Sequence, residues 1–134
     1  RAQIEAAGLA DRCRIELRDY RDLVAGAPFD KVVSVGMVEH VGKANLPRYF
    51  AQAPRLTRPG GLFLNHGIVL ATPVAVGLKD WIARAFWREG AFMQRYVFPD
   101  GELELPATLV AAAEVAGWET RDLESLREHY ALTL

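Results

Sequence analysis

The chain has 134 residues, 51% of them hydrophobic and 25% charged, enough for one packed domain of ordinary size. Its formal net charge is −1, so bulk electrostatics give no reason to expect a nucleic-acid partner. A single cysteine excludes an internal disulfide, and no Cys/His spacing points to zinc or to any other metal site.

Residues Ala2 to Ala7 read as the end of a helix closed by Gly8. Cys13 precedes a short strand, Arg14 to Leu17, and reads as a buried, inert thiol, in keeping with a reducing, cytoplasmic compartment. The sequence shows no signal-peptide pattern and no apolar run long enough to span a bilayer. Asp19-Tyr20-Arg21-Asp22 is a polar loop. Lys31 to Val35 is a nearly continuous β-branched run, as in parallel strands buried on both faces. Gly36 to Gly42 forms a loop at the carboxyl end of that strand. Leu46, Tyr49, Phe50, Ala53 and Leu56 fall at helical spacing and predict a helix over Leu46 to Leu56. Arg58-Pro59-Gly60-Gly61 is a breaker and turn, and Leu62 to Leu70 a second apolar strand. Leu78 to Arg88 reads as a helix, Pro99-Asp100-Gly101 as a turn, Pro106 to Ala116 as a helix stopped by Gly117, and Trp118 to Leu123 as a last strand. The sequence opens at Arg1 inside a helical pattern and stops at Leu134 in mid-pattern, so it reads as a piece of a longer chain.

This alternation predicts an α/β domain with a mainly parallel sheet. Ligands of such sheets bind beyond the carboxyl ends of the strands. Three polar clusters fall there: Asp19 to Asp22, Gly36 to His40, and Asn65 to Gly67. Gly36 lets a ligand approach the backbone. Glu39 either stabilises a helical first turn or faces the crevice. His66 is either a satisfied core histidine or a site residue at a strand end. Tyr130 has no local pattern to support it. Leu78, Trp81, Ile82, Ala85 and Phe86 share one face of a basic amphipathic helix. That helix either packs on the core or lies against lipid. No glycine-rich loop follows a first strand, so residues outside this sequence must hold part of any nucleotide-like cofactor.

Phe29-Asp30-Lys31-Val32-Val33-Ser34-Val35-Gly36-Met37-Val38-Glu39-His40-Val41-Gly42 resembles the strand-four signature of cyclopropane-fatty-acyl-phospholipid synthases and mycolic acid methyltransferases. Asn45 with Tyr49-Phe50, Leu56 to Leu64, His66, Tyr96 to Gly101, and Tyr130 with Thr133-Leu134 follow in the family's order, so the resemblance covers nearly the whole chain.

The resemblance implies the class I methyltransferase (Rossmann-like) sheet with helices on both faces. Residues 1–134 would form its C-terminal part, within a single domain, without the N-terminal cofactor loop. Residues 72–105 would be a substrate-side insertion. It further implies S-adenosylmethionine as cofactor, with Tyr20 and Arg21 flanking the adenine and Val35 and Gly36 lining the crevice. The implied reaction moves the sulfonium methyl onto a cis double bond of a phospholipid acyl chain, and a bound bicarbonate removes a proton as the ring closes. Glu39, His66 and Tyr130, with Ile68 nearby, would hold the bicarbonate. Trp81, Phe86, Phe92 and Phe98 would line the acyl channel, which implies peripheral association with a membrane surface and leaves a homodimer open. The alternatives are methyl transfer without bicarbonate, to a methyl-branched lipid or another small hydrophobic acceptor, and a non-catalytic copy that keeps the fold. Residues 1–134 alone are expected to bind the cofactor weakly and to be inactive.

Overall fold

The computed structural model describes residues 2–24, 26–70 and 102–133. After a short helix α1 (Ala2–Ala6), the organising unit is a parallel pair of strands, β1 (Phe29–Val35) and β2 (Thr57–His66), joined by helix α2 (Leu46–Leu56). Val33 faces Leu64, Ser34 faces Asn65 and Val35 faces His66 across the ladder. A parallel pair needs a crossover, and a helix is the usual way to supply it.

The Arg58 to Gly61 turn signal appears as a bulge inside β2. Phe29 pairs with Thr57 but Lys31 pairs with Leu62, so the intervening residues leave the ladder, and Arg58 forms an ion pair with Asp30 beside them. Gly61 is required there, because a Cβ would stand 2.8 Å from the Asp30 carbonyl oxygen.

Helix α2 spans the predicted residues. Leu46, Tyr49, Phe50, Ala53 and Leu56 are its buried residues. Pro54 lies in its last turn and has no N–H to give the Phe50 carbonyl. The Trp118 indole N–H donates to that carbonyl at 3.4 Å instead, so the proline leaves no orphan acceptor. Helix α3 (Pro106–Val115) packs on α2, and Leu109, Ala112 and Ala113 reach the cluster of Val38, Val41, Leu46, Tyr49 and Phe50. Helix α4 (Arg127–Thr133), which the sequence reading left without a pattern, carries Tyr130.

Several expectations are corrected. Arg14 to Leu17 is not a strand, because no described strand lies alongside to complete a ladder. Arg14 and Arg18 both pair with Glu16 there, at 2.7 and 2.9 Å, and Ile15 and Leu17 are exposed. Cys13, just before it, is exposed rather than buried for the same reason. Trp118 to Leu123 is not a strand either: the Trp118 ring lies 5.3 Å from Phe63, so this residue packs as an anchor on the core. Strand β2 stops at His66, opposite Val35, where β1 also ends. The chain then turns to Glu104, whose carbonyl accepts from the Leu70 N–H at 3.0 Å. The run Lys31 to Val35 is not covered on both faces. Val33 and Val35 are 62% and 64% exposed, because α2 and α3 cover only one face among the described residues. The helix Leu78 to Arg88, the Pro99 to Gly101 turn and most of the 72–105 segment lie outside the described residues.

Candidate active site at the strand ends

β1 ends where Gly36 takes φ +64°, a left-handed conformation that glycine adopts without strain. The Gly36 N–H donates to the His66 carbonyl at 3.0 Å, which ties the two strand ends together. A single 3-10 turn, Val38–His40, follows, and its Val38 is anchored in the core. That anchoring buries Glu39, the next residue, to 4% exposure.

The carboxylate of Glu39 lies between two glycines. A Cβ at Gly36 would stand 3.9 Å from one oxygen, and a Cβ at Gly67 would stand 2.9 Å from the other. The loop is fixed from outside as well. The Glu102 N–H donates to the Glu39 carbonyl at 2.9 Å, and the Lys43 N–H donates to the Glu102 carboxylate at 2.7 Å. Lys43 also pairs with Glu104 at 3.7 Å.

His66 closes the other side. Its ring stacks nearly parallel on Tyr130, with centroids 6.4 Å apart and planes 14° apart. Two of the predicted site residues thus meet from β2 and α4, Glu39 from the loop after β1 lies against Gly67, and Ile68, 41% exposed, follows Gly67. Glu39 Oε2 and His66 Nδ1 are buried and lack a hydrogen-bond partner among the described residues. Buried polar atoms are seldom left so, and Glu39 Oε2 lies against Gly67, the residue after His66, so the two fit a ligand that both accepts and donates hydrogen bonds.

A second opening adjoins this one. A cleft of about 440 Å³ lies between Arg18 to Arg21 and the loop residues Met37, His40, Val41 and Asn45. Tyr20 is half-buried on its wall, its ring edge-on to Tyr49 at 5.7 Å. Arg21 lines the same cleft with its guanidinium committed to Asp19, the Nε at 2.9 and 3.0 Å from the two carboxylate oxygens. That guanidinium and the Arg21 N–H hold the Asp19 carboxyl down, from an ordinary 3.8 to about 2. Val35 and Gly36 stand exposed at the end of β1. The substrate-wall residues Trp81, Phe86, Phe92 and Phe98 lie outside the described residues.

The sequence reading missed Tyr49 as more than a core residue. Its hydroxyl lies 2.7 Å from Ser34 Oγ and 2.6 Å from Asn65 Oδ1. Burial pushes its phenol above the ordinary range; the Ser34 contact pulls it down, and Tyr20 and Glu39 push it further up. A tyrosine on an apolar helix face was the available signal, since a buried phenol needs a partner.

The whole chain, residues 1–134, matches the family model described as mycolic acid cyclopropane synthetase. It is 46% identical over 138 residues to a probable fatty acid methyltransferase of Pseudomonas putida, which covers 100% of this chain and 32% of that protein. It is 37% identical over 100 residues to the cyclopropane-fatty-acyl-phospholipid synthase of Escherichia coli, covering 75% of this chain and 22% of that protein. Among solved structures, the cyclopropane synthase MmaA2 from Mycobacterium tuberculosis superposes with a TM-score of 0.72 at 24% identity, over 98% of this chain and 47% of that one. The chain therefore spans about a third or less of the length of these two curated relatives. The structural match shows the methyltransferase fold.

Proposed function

Because the chain belongs to the mycolic acid cyclopropane synthetase family, we propose that it forms part of an S-adenosylmethionine-dependent methyltransferase acting on unsaturated acyl chains of phospholipids. The observation that supports this reading is the stacking of His66 on Tyr130, with unpaired buried atoms on His66 and, against the adjoining Gly67, on Glu39. S-adenosylmethionine, when bound, supplies a sulfonium methyl to one carbon of a cis double bond, leaving positive charge on the other. Tyr20 and Arg21 would hold its adenine side, and the bare backbone at Gly36 leaves room for close approach.

Glu39 places a carboxylate where positive charge develops, in a setting that water does not screen. Tyr130 can donate a hydrogen bond from its hydroxyl, and His66 from its ring nitrogen. The two unpaired atoms fit bicarbonate, which can donate its O–H to the Glu39 carboxylate and accept from His66. Bicarbonate, when bound, supplies a base for the proton lost as the cyclopropane ring closes. These residues thus orient the base beside the developing cation.

A second reading is supported by the name of the Pseudomonas putida relative, a fatty acid methyltransferase rather than a cyclopropane synthase. On that reading the product is a methyl-branched chain, made without bicarbonate. Peripheral association with a membrane surface belongs to either reading; no helix among the described residues is long and apolar enough to cross a membrane.

Lipid mass spectrometry tests the function in cells expressing the open reading frame that encodes this chain. Unsaturated phospholipid chains should gain one CH2 without added hydrogen, and fragmentation separates a ring from a methylidene branch. Unchanged lipids in cells holding the folded protein would refute the lipid reading.

A further inference from the structure

Tyr49 sits where three parts of the site meet, and none of them is on its own helix. Its ring lies edge-on to Tyr20, on the wall of the cleft beside Asp19. Its hydroxyl reaches Ser34 at 2.7 Å, one residue before Val35 on β1. The same hydroxyl reaches Asn65 Oδ1 at 2.6 Å, one residue before His66 on β2. Ser34 and Asn65 are also direct ladder partners.

The proton count fixes the direction of this network. A phenol has one proton, and an amide oxygen can only accept. Tyr49 therefore donates to Asn65, and the Ser34 hydroxyl donates to Tyr49. Tyr49 is 3% exposed and its phenol is held protonated by burial, so water does not compete for these bonds. The ring is gripped on other sides by Phe50 at 5.0 Å and Phe63 at 6.5 Å. A bolt from α2 thus crosses both strands at the last position before the groups that face the ligands.

We infer that Tyr49 is a positioning residue, whose hydroxyl sets where the end of β2 presents His66 relative to Glu39. The inference rests on the reading of His66 and Glu39 as site residues. It goes beyond that reading by assigning the setting of His66 to a residue that touches no ligand. The hydroxyl and the ring have separable jobs. The ring supports Tyr20 and the cofactor side. The hydroxyl acts through Asn65 on the chemical side.

The test is Tyr49→Phe in the full encoded chain, which keeps the ring and removes the hydroxyl. The turnover number kcat should fall on the order of tenfold, since sub-ångström misplacement of a reacting group costs less than the ~100-fold of a 1 Å error. The KM for S-adenosylmethionine should stay within about twofold, because the ring still supports Tyr20. Asn65→Ala should reproduce the fall, and the double variant should be no worse than either single, as expected for one shared interaction. Asn65→Ala also serves if Tyr49→Phe does not fold, because Tyr49 then keeps Ser34 as its partner. Wild-type kcat per folded molecule in both variants overturns the inference, as does a double variant whose losses multiply. The side-chain nitrogen resonances of His66 are read alongside. They should shift in both variants whatever the substrate is, so a failure of the lipid assay and a failure of this inference are distinguishable.

Discussion

Gly67→Ala is the most demanding test of the strand-end geometry. A Cβ at position 67 would stand 2.2 Å from Val38 Cγ1 and 2.9 Å from Glu39 Oε2. Carbon atoms rest about 3.5–4.0 Å apart, so the overlap with Val38 is about 1.3 Å or more. Val38 Cβ itself would be 3.6 Å away, so within Val38 only the methyl has to move, while the Glu39 oxygen must also give. Val38 is β-branched and stiff at χ1, and at 3% exposure its methyl has only the cluster of Val41, Leu46, Tyr49 and Phe50 to turn into. Overpacking of this kind costs about 1–3 kcal/mol. Val38→Ala removes the obstructing methyl but on its own forfeits burial, up to about 1.5–3 kcal/mol. Chemical denaturation of the wild type, both single variants and the double variant closes the cycle. The double variant should be less destabilised than the sum of the singles by about 1 kcal/mol or more. Costs that add within about 0.5 kcal/mol, the ordinary limit for independent sites, would refute the packing argument. Turnover gives a second check. It should stay low even in the double variant, because the new methyl still faces the Glu39 carboxylate.

Two further predictions follow from the site. His66→Ala in the full encoded chain should lower turnover on the order of a hundredfold while the protein stays folded, the scale of losing a positioned base; near-normal turnover per folded molecule would remove His66 from the site. Asp19 titrates below its ordinary value, so its contribution to order in the Tyr20 loop is present above about 3.8 and is lost as pH falls toward 2. The carboxyl carbon resonance of Asp19 should therefore titrate with a midpoint near 2, and a midpoint near 3.8 would mean that the Arg21 contacts do not hold in solution.

Apolar spacing carried most of the legible fold. Leu46 to Leu56 was readable because five apolar residues fall on one face, and Lys31 to Val35 because β-branched residues run together. What spacing cannot report is whether a neighbour exists. Arg14 to Leu17 and Trp118 to Leu123 have strand-like composition, yet a strand forms only against a partner, and none lies beside them among the described residues. The exposure of Cys13, Val33 and Val35 has the same origin. Glu39, His66 and Tyr130 were legible as a group only through the family resemblance, since they come from a loop, a strand and a helix far apart in sequence. Gly36 is marked by the rule that ligands sit at strand ends, and Val35 only through the family resemblance. Tyr49 and Glu102 escaped because their roles depend on groups brought close by folding: Ser34 and Asn65 in one case, the Glu39 carbonyl and the Lys43 N–H in the other.

The two unpaired atoms also bear on which reading of the chemistry is better supported. Leaving a polar atom buried without a partner costs about 1–3 kcal/mol, more when it is charged. Glu39 and His66 each carry such an atom, and they stand at the ends of neighbouring strands. An acyl chain brings no hydrogen-bonding groups to either one, so a site for alkene and methyl donor alone would use the charge of Glu39 but leave both hydrogen bonds unmet. A small oxyacid anion that carries its own O–H changes that balance, because it gives a proton to the carboxylate oxygen and takes one from the ring nitrogen. Gly67 lets the carboxylate lie close against the end of β2, and a methyl there would crowd it. These unmet hydrogen bonds are what favour the proposed bicarbonate-dependent reading over methyl transfer to a wholly apolar site.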